Sequence, residues 1–88
     1  MKSWTFLTNH AHVLLCIAAD PEVLLKDVAQ AVGITERATQ RIVSDLVTEG
    51  YLTIAKQGRR NSYRVNAKLH FRHPVERRNQ INKLLALL

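Results

Sequence analysis

The stretch Leu25-Lys26-Asp27-Val28-Ala29-Gln30-Ala31-Val32-Gly33-Ile34-Thr35-Glu36-Arg37-Ala38-Thr39-Gln40-Arg41-Ile42-Val43-Ser44-Asp45-Leu46, followed by Glu49-Gly50-Tyr51-Leu52, reads as two helices joined by a tight turn. Val28, Ala29 and Val32 fall at i, i+1 and i+4, which gives a short helix over about residues 26–31 one buried face. No hydroxyl at position 25 caps its start. Gly33 supplies the left-handed conformation that ends it without a Cβ penalty. Thr35 is the expected N-cap of the next helix, Glu36 sits favourably in its first turn, and Gly50 stands where its C-terminal stop is expected. That helix should run over about residues 36–49. Ala38, Thr39, Ile42, Val43, Leu46 and Val47 recur at spacings of three and four and face inward, so Arg37, Gln40, Arg41 and Ser44 share the outer face.

Upstream, a first helix is expected to begin near Thr8 and to carry the apolar run from Val13 to Ala19. Asp20-Pro21 ends it, because proline disfavours helical geometry at the residue before it. Trp4 and Phe6 read as core plugs on an arm ahead of it. Val23-Leu24-Leu25, short and apolar beside a turn, suits a brief strand. Downstream of Gly50 the period changes from helical to alternating. Leu52 and Ile54 share one face, as do Tyr63 and Val65, which predicts a hairpin with a loop over residues 56–61 and three cations at its tip. His73-Pro74 then opens a last helix, expected over about residues 74–88, with Ile81, Leu84, Leu85 and Leu88 as its apolar stripe.

Eighty-eight residues enclose one apolar core, so a single domain is expected over residues 1–88. The lone Cys16 excludes an internal disulfide and leaves no Cys-x-x-Cys pair, which fits a reducing compartment and makes the cytoplasm the expected location. No apolar run is long enough to cross a bilayer. Charge is divided unevenly along the chain. Residues 1–50 hold four basic side chains against six acidic ones, a net of −2, whereas residues 51–88 hold nine against one, a net of +8. A polyanion is the natural partner of such a half, and phosphate backbones are the commonest polyanion in a cell. There is no Gly-rich phosphate loop, acid pair or nucleophile with its base, so no enzyme is expected.

The order helix, short strand, short helix, glycine turn, capped helix and basic hairpin resembles the winged helix-turn-helix family, in particular small regulators similar to the MarR and ArsR groups. The likeness covers a core of about residues 8–66. It matches a small residue where two helices cross, Ala29, a turn glycine, Gly33, and apolar neighbours, Val32 and Ile34. Thr39 stands where the family usually carries an aliphatic residue. The resemblance implies an α+β, mainly helical fold: a three-helix core, a short strand plus a β-hairpin wing, and here an additional C-terminal helix. It also implies that the helix opened by Thr35 enters the major groove of double-stranded DNA.

On that basis Arg37 and Arg41 pair with guanine and Gln40 with adenine. Glu36 accepts from cytosine or only steadies the helix start, and Thr35 and Ser44 meet phosphate or a base edge. Lys56, Arg59 and Arg60, with Asn61 beside them, grip phosphates or the minor groove, and Arg64 is a weaker candidate. A homodimer reading two half-sites is expected, joined through Ile81, Leu84, Leu85 and Leu88; the alternative is that this stripe folds back on the first helix of its own chain. No cofactor is expected. The rival functions are a metal- or ligand-responsive sensor, or a winged helix that binds protein or RNA. His12 and Cys16 are the weak metal candidates, with His10, His70 and His73 as possible neighbours.

Overall fold

The computed structural model describes residues 3–88. Three helices, α1 (Asn9–Ala19), α2 (Leu25–Val32) and α3 (Glu36–Thr48), precede a hairpin of β1 (Leu52–Gln57) and β2 (Arg60–Val65), and one further turn of helix, α4 (Asn82–Leu85), comes last. This is a winged helix-turn-helix with a short C-terminal helix.

Local chemistry explains the helix limits. Thr8 caps α1 by accepting the Ala11 amide at 3.3 Å, and Thr35 caps α3 by accepting that of Ala38 at 3.0 Å. Leu24 stands at the N-cap of α2 with no side-chain bond, and the helix ends at Gly33 with φ +87°. There the Gly33 and Ile34 amides both donate to the Ala29 carbonyl, at 2.8 and 3.0 Å. A side chain at Gly33 would meet no neighbour, so it is the backbone angle that calls for glycine.

Each helix contributes one face to a shared core: Val13, Leu14 and Ile17 from α1, Val28 and Ala29 from α2, and Ile42, Val43 and Leu46 from α3. Thr39 is wholly buried among them. Its hydroxyl donates to the Thr35 carbonyl at 2.9 Å, so a polar atom enters the core satisfied. Tyr51, Leu52 and Tyr63 close the core from the hairpin.

The hairpin is antiparallel, with Leu52 opposite Val65, Ile54 opposite Tyr63 and Gln57 opposite Arg60. Its connection is therefore the pair Gly58-Arg59, tighter than the loop expected over residues 56–61. Gly58 alone has a positive φ there, +65°, which is the pattern of a type II′ turn, whose twist matches that of paired strands. Burial fades toward the tip, and Ile54 is 42% exposed although it shares the inward face with Leu52.

Three expectations need correction. Trp4 and Phe6, read as core plugs, are exposed. Val23-Leu24-Leu25 forms no strand. The Leu24 carbonyl already accepts the Asp27 and Val28 amides of α2, so helix begins at Leu25 and leaves no room for a strand. The hairpin is tied to this region one turn earlier, where the Tyr63 amide donates to the Pro21 carbonyl at 2.8 Å.

The C-terminal helix is one turn long instead of spanning residues 74–88. Residues 74–78 form successive turns, His70 bridges to Gln80, and helix returns only at Asn82. Residues 76–80 are Glu, Arg, Arg, Asn and Gln, so that stretch offers a helix no apolar side to bury. Its backbone is drawn instead into long-range bonds, from Phe71 to the Asn79 carbonyl and from Ile81 to that of Leu69.

The stripe follows the chain back to the core. Ile81 and Leu84 are buried in the chain's own core and Leu85 packs against that core, while Leu88 remains exposed. Within the chain the stripe thus folds back on α1, the alternative that the sequence left open.

Candidate nucleic-acid interface

The inward phase of α3 fixes what points outward. With Thr39, Ile42, Val43 and Leu46 buried, Glu36, Arg37, Gln40, Arg41 and Ser44 are all exposed. Thr35, Arg37, Gln40 and Arg41 line one open concavity at the N-terminal half of the helix. That end also carries the positive pole of the helix dipole, so cationic side chains and backbone polarity add there. The Thr35 hydroxyl is already engaged as a cap, and only its proton remains for another acceptor.

The hairpin lies alongside. Gln40 and Ser44 share a groove with Ile54, Asn61 and Tyr63, which puts the edge of β2 against the outward side of α3. Lys56, Arg59, Arg60 and Asn61 are exposed, as is Arg64. Among the described residues, Arg37, Arg41, Lys56 and Arg59 enter no ion pair. The three pairs found, His10 with Asp45, Arg72 with Glu49 and His73 with Glu76, involve other side chains. Unpaired exposed cations retain their full attraction for a polyanion, because no neighbouring carboxylate offsets it.

Arg60 differs from its neighbours. Its guanidinium donates to the Glu22 carbonyl at 2.6 Å, so this cation ties the wing to the turn after α1. With the Tyr63 amide on the Pro21 carbonyl, that makes two attachments fixing the hairpin relative to the helices. Sequence reasoning missed this role, since nothing in the sequence brings positions 22 and 60 together.

Among the described residues, no three His, Cys, Asp or Glu side chains gather as a metal site. His12 Nδ1 lies 3.4 Å from Asn9 Oδ1 on its own helix, His10 Nε2 is 2.8 Å from Asp45 Oδ2, and His70 Nδ1 is 2.8 Å from the Arg77 carbonyl. The five candidates from the sequence are thus not drawn into one cluster. Nor is any helix among the described residues long and apolar enough to cross a membrane.

No protein-family model matches the sequence, and no curated protein matches it. Among solved structures, the chain is similar to the zinc-dependent MarR family transcriptional regulator AdcR in its Zn(II)-bound state. The TM-score is 0.53 and the identity 22%, over 74% of this chain and 47% of that one. The present chain thus spans about half the length of that protein. At this identity the likeness establishes the fold.

Proposed function

We propose that this chain binds double-stranded DNA in a sequence-specific manner as a transcriptional regulator, with α3 in the major groove and the hairpin on the backbone or minor groove. The carrying observation is the exposed row Arg37, Gln40, Arg41 and Ser44 on a helix whose back is buried, with the cationic hairpin against its flank. A major groove admits one helix and presents a distinct donor and acceptor pattern for each base pair. Arg37 and Arg41 supply forked donors for guanine, and Gln40 supplies the donor and acceptor that adenine requires. Lys56 and Arg59 add phosphate contacts that strengthen binding without choosing sequence. Glu36 and Asn61 stand at the edges of this surface, and the regulator acts in the cytoplasm as a homodimer.

Selection from random duplexes by the purified protein tests this directly. The expected result is an enriched motif, palindromic with half-sites about one helical turn apart. Arg37→Ala or Arg41→Ala should then cost about 1–3 kcal/mol and relax preference at one base position. Arg59→Ala should weaken all sequences alike and lower the salt dependence by about one unit. No enrichment, together with binding indifferent to all three substitutions, would remove the proposal.

A further inference from the structure

The hairpin of β1 and β2 accounts for four of the nine basic side chains of residues 51–88: Lys56, Arg59, Arg60 and Arg64. The other five, Lys68, Arg72, Arg77, Arg78 and Lys83, stand in residues 67–88 against one acid, Glu76, a net of +4, and all five are exposed. The backbone that carries them has a form of its own. The Phe71 amide donates to the Asn79 carbonyl at 3.0 Å and the Ile81 amide to that of Leu69 at 2.8 Å, so 69–71 and 79–81 run antiparallel around the bridged pair His70 and Gln80. Side chains alternate across such a pairing. Leu69, Phe71 and Ile81 turn to the core, which puts His70 and Gln80 on the outer side. Residues 72–78 are thus the loop of a second, smaller hairpin, and it carries Arg72, Arg77 and Arg78.

We propose that this second loop binds the phosphate backbone of a DNA segment other than the one read by α3, so that the chain joins two duplexes. Three observations support that role. First, the guanidinium groups are available. Arg77 and Arg78 enter no ion pair among the described residues, and Arg72 only approaches Glu49, at 4.0 Å. A free guanidinium offers a phosphate two parallel donors, which an ammonium does not. Second, the course of the loop is fixed before any ligand arrives. His70 Nδ1 donates to the Arg77 carbonyl at 2.8 Å, the Asn79 amide to the Glu76 carbonyl at 2.8 Å, and the Glu76 amide to the His73 carbonyl at 3.0 Å. A loop already ordered gives up little entropy on binding.

Third, the loop and the reading surface stand at opposite ends of α3. Arg72 shares a recess with Thr48 and Glu49 at the C-terminal end, whereas Arg37, Gln40 and Arg41 line the concavity at the N-terminal half. Thirteen residues at about 1.5 Å each make the helix about 20 Å long, so a duplex taken by the reading half lies at the far end from the loop. The surroundings suit a sugar-phosphate chain better than a lipid surface. Asn79 and Asn82 add exposed amide donors beside the cations, and besides Pro74 the loop has Val75 as its one apolar side chain, too little to anchor it in a bilayer. The inference rests on the proposed function for the nature of the ligand, and it assigns different residues to a different contact.

Bridging of duplexes tests it. An immobilised duplex saturated with the full chain should capture a labelled second duplex of unrelated sequence. Arg77→Gln combined with Arg78→Gln, both at exposed positions, should cut that capture by at least on the order of tenfold and lower its salt dependence by about two units. Binding to the immobilised duplex and the melting temperature should stay as in the parent. Arg37→Ala combined with Arg41→Ala should do the reverse, abolishing sequence preference while capture per bound chain persists. A chain that bridges duplexes through Arg77 and Arg78 but selects no motif would therefore sink the proposed function and support the loop. A chain that selects a motif but captures no second duplex, or captures it equally well with both arginines replaced, would overturn the loop assignment. Binding to vesicles of anionic phospholipid through the same two arginines, without bridging, would overturn it in favour of a lipid surface.

Discussion

Between Leu25 and Thr48 the bonds that shape the chain are local: amides reach back to carbonyls of the same helix, a threonine caps, a glycine turns. Between residues 67 and 88 they join distant positions. The Ile81 amide donates to the Leu69 carbonyl at 2.8 Å, that of Asn82 to Ala67 at 3.0 Å, and the Tyr51 hydroxyl to the His70 carbonyl at 2.5 Å. Both regions end with apolar side chains in one core. The first is shaped before it packs, while the second takes its shape from packing, so the two should fail differently when disturbed.

The largest expected effect is on the second region. Ile81 is, with Leu84, one of the two side chains that residues 67–88 bury in the core, so Ile81→Ala should lower unfolding free energy by about 3 kcal/mol. Denaturant titration measures the loss. Hydrogen exchange sharpens it, because the amides of Phe71, Ile81 and Asn82 should lose protection before those of α3. A loss below about 1 kcal/mol would show that the segment is not docked, and the comparison would collapse.

Breaking the first region should take a backbone signal in place of a contact. Thr35→Ala removes the cap of α3 and should cost about 1 kcal/mol. Gly33→Ala should cost a similar amount through the +87° φ alone, since the added methyl meets no neighbour. Thermal melts of both variants should fall together. If Gly33→Ala were neutral, the turn would not depend on its left-handed residue.

Tyr51→Phe tests the same contrast more gently. It deletes the hydroxyl bond to the His70 carbonyl and should cost about 0.5–1.5 kcal/mol. The loss should appear as faster exchange at Phe71 and Ile81, with α2 and α3 unaffected.

The same contrast explains what could be read in advance. The limits of α1 and α3 followed from Thr8, Thr35 and Gly50, and the exposure of Arg37, Gln40 and Arg41 followed from the phase of Thr39, Ile42 and Leu46, all signals within one turn or two. Residues 74–88 looked helical because Pro74 and the leucine spacing permit a helix. The polar run 76–80 and the bonds to Leu69 and Phe71 decided otherwise. Periodicity correctly marked Ile81 and Leu84 for burial, but it does not say against what. Arg60 looked like its neighbours because its bond to Glu22 spans 38 positions.

The smallest expected effect concerns the one polar side chain that α3 buries in the core. Thr39 is completely buried, and its hydroxyl donates to the Thr35 carbonyl, which also accepts the Thr39 amide at 3.0 Å. Thr39→Val keeps the branched shape and removes the hydroxyl together with its bond. The carbonyl retains its amide donor, so no buried polar group is orphaned, and the usual penalty for a half-broken pair does not arise. A threonine bonded back within its own helix also slightly destabilises that helix. Thr39→Val should therefore lie within about 0.5 kcal/mol of the parent in denaturant titration, whereas Thr39→Ser, which deletes the buried methyl, should cost about 1 kcal/mol. A Val variant losing more than about 1.5 kcal/mol would mean that the hydroxyl, not the methyl, holds α3 in place.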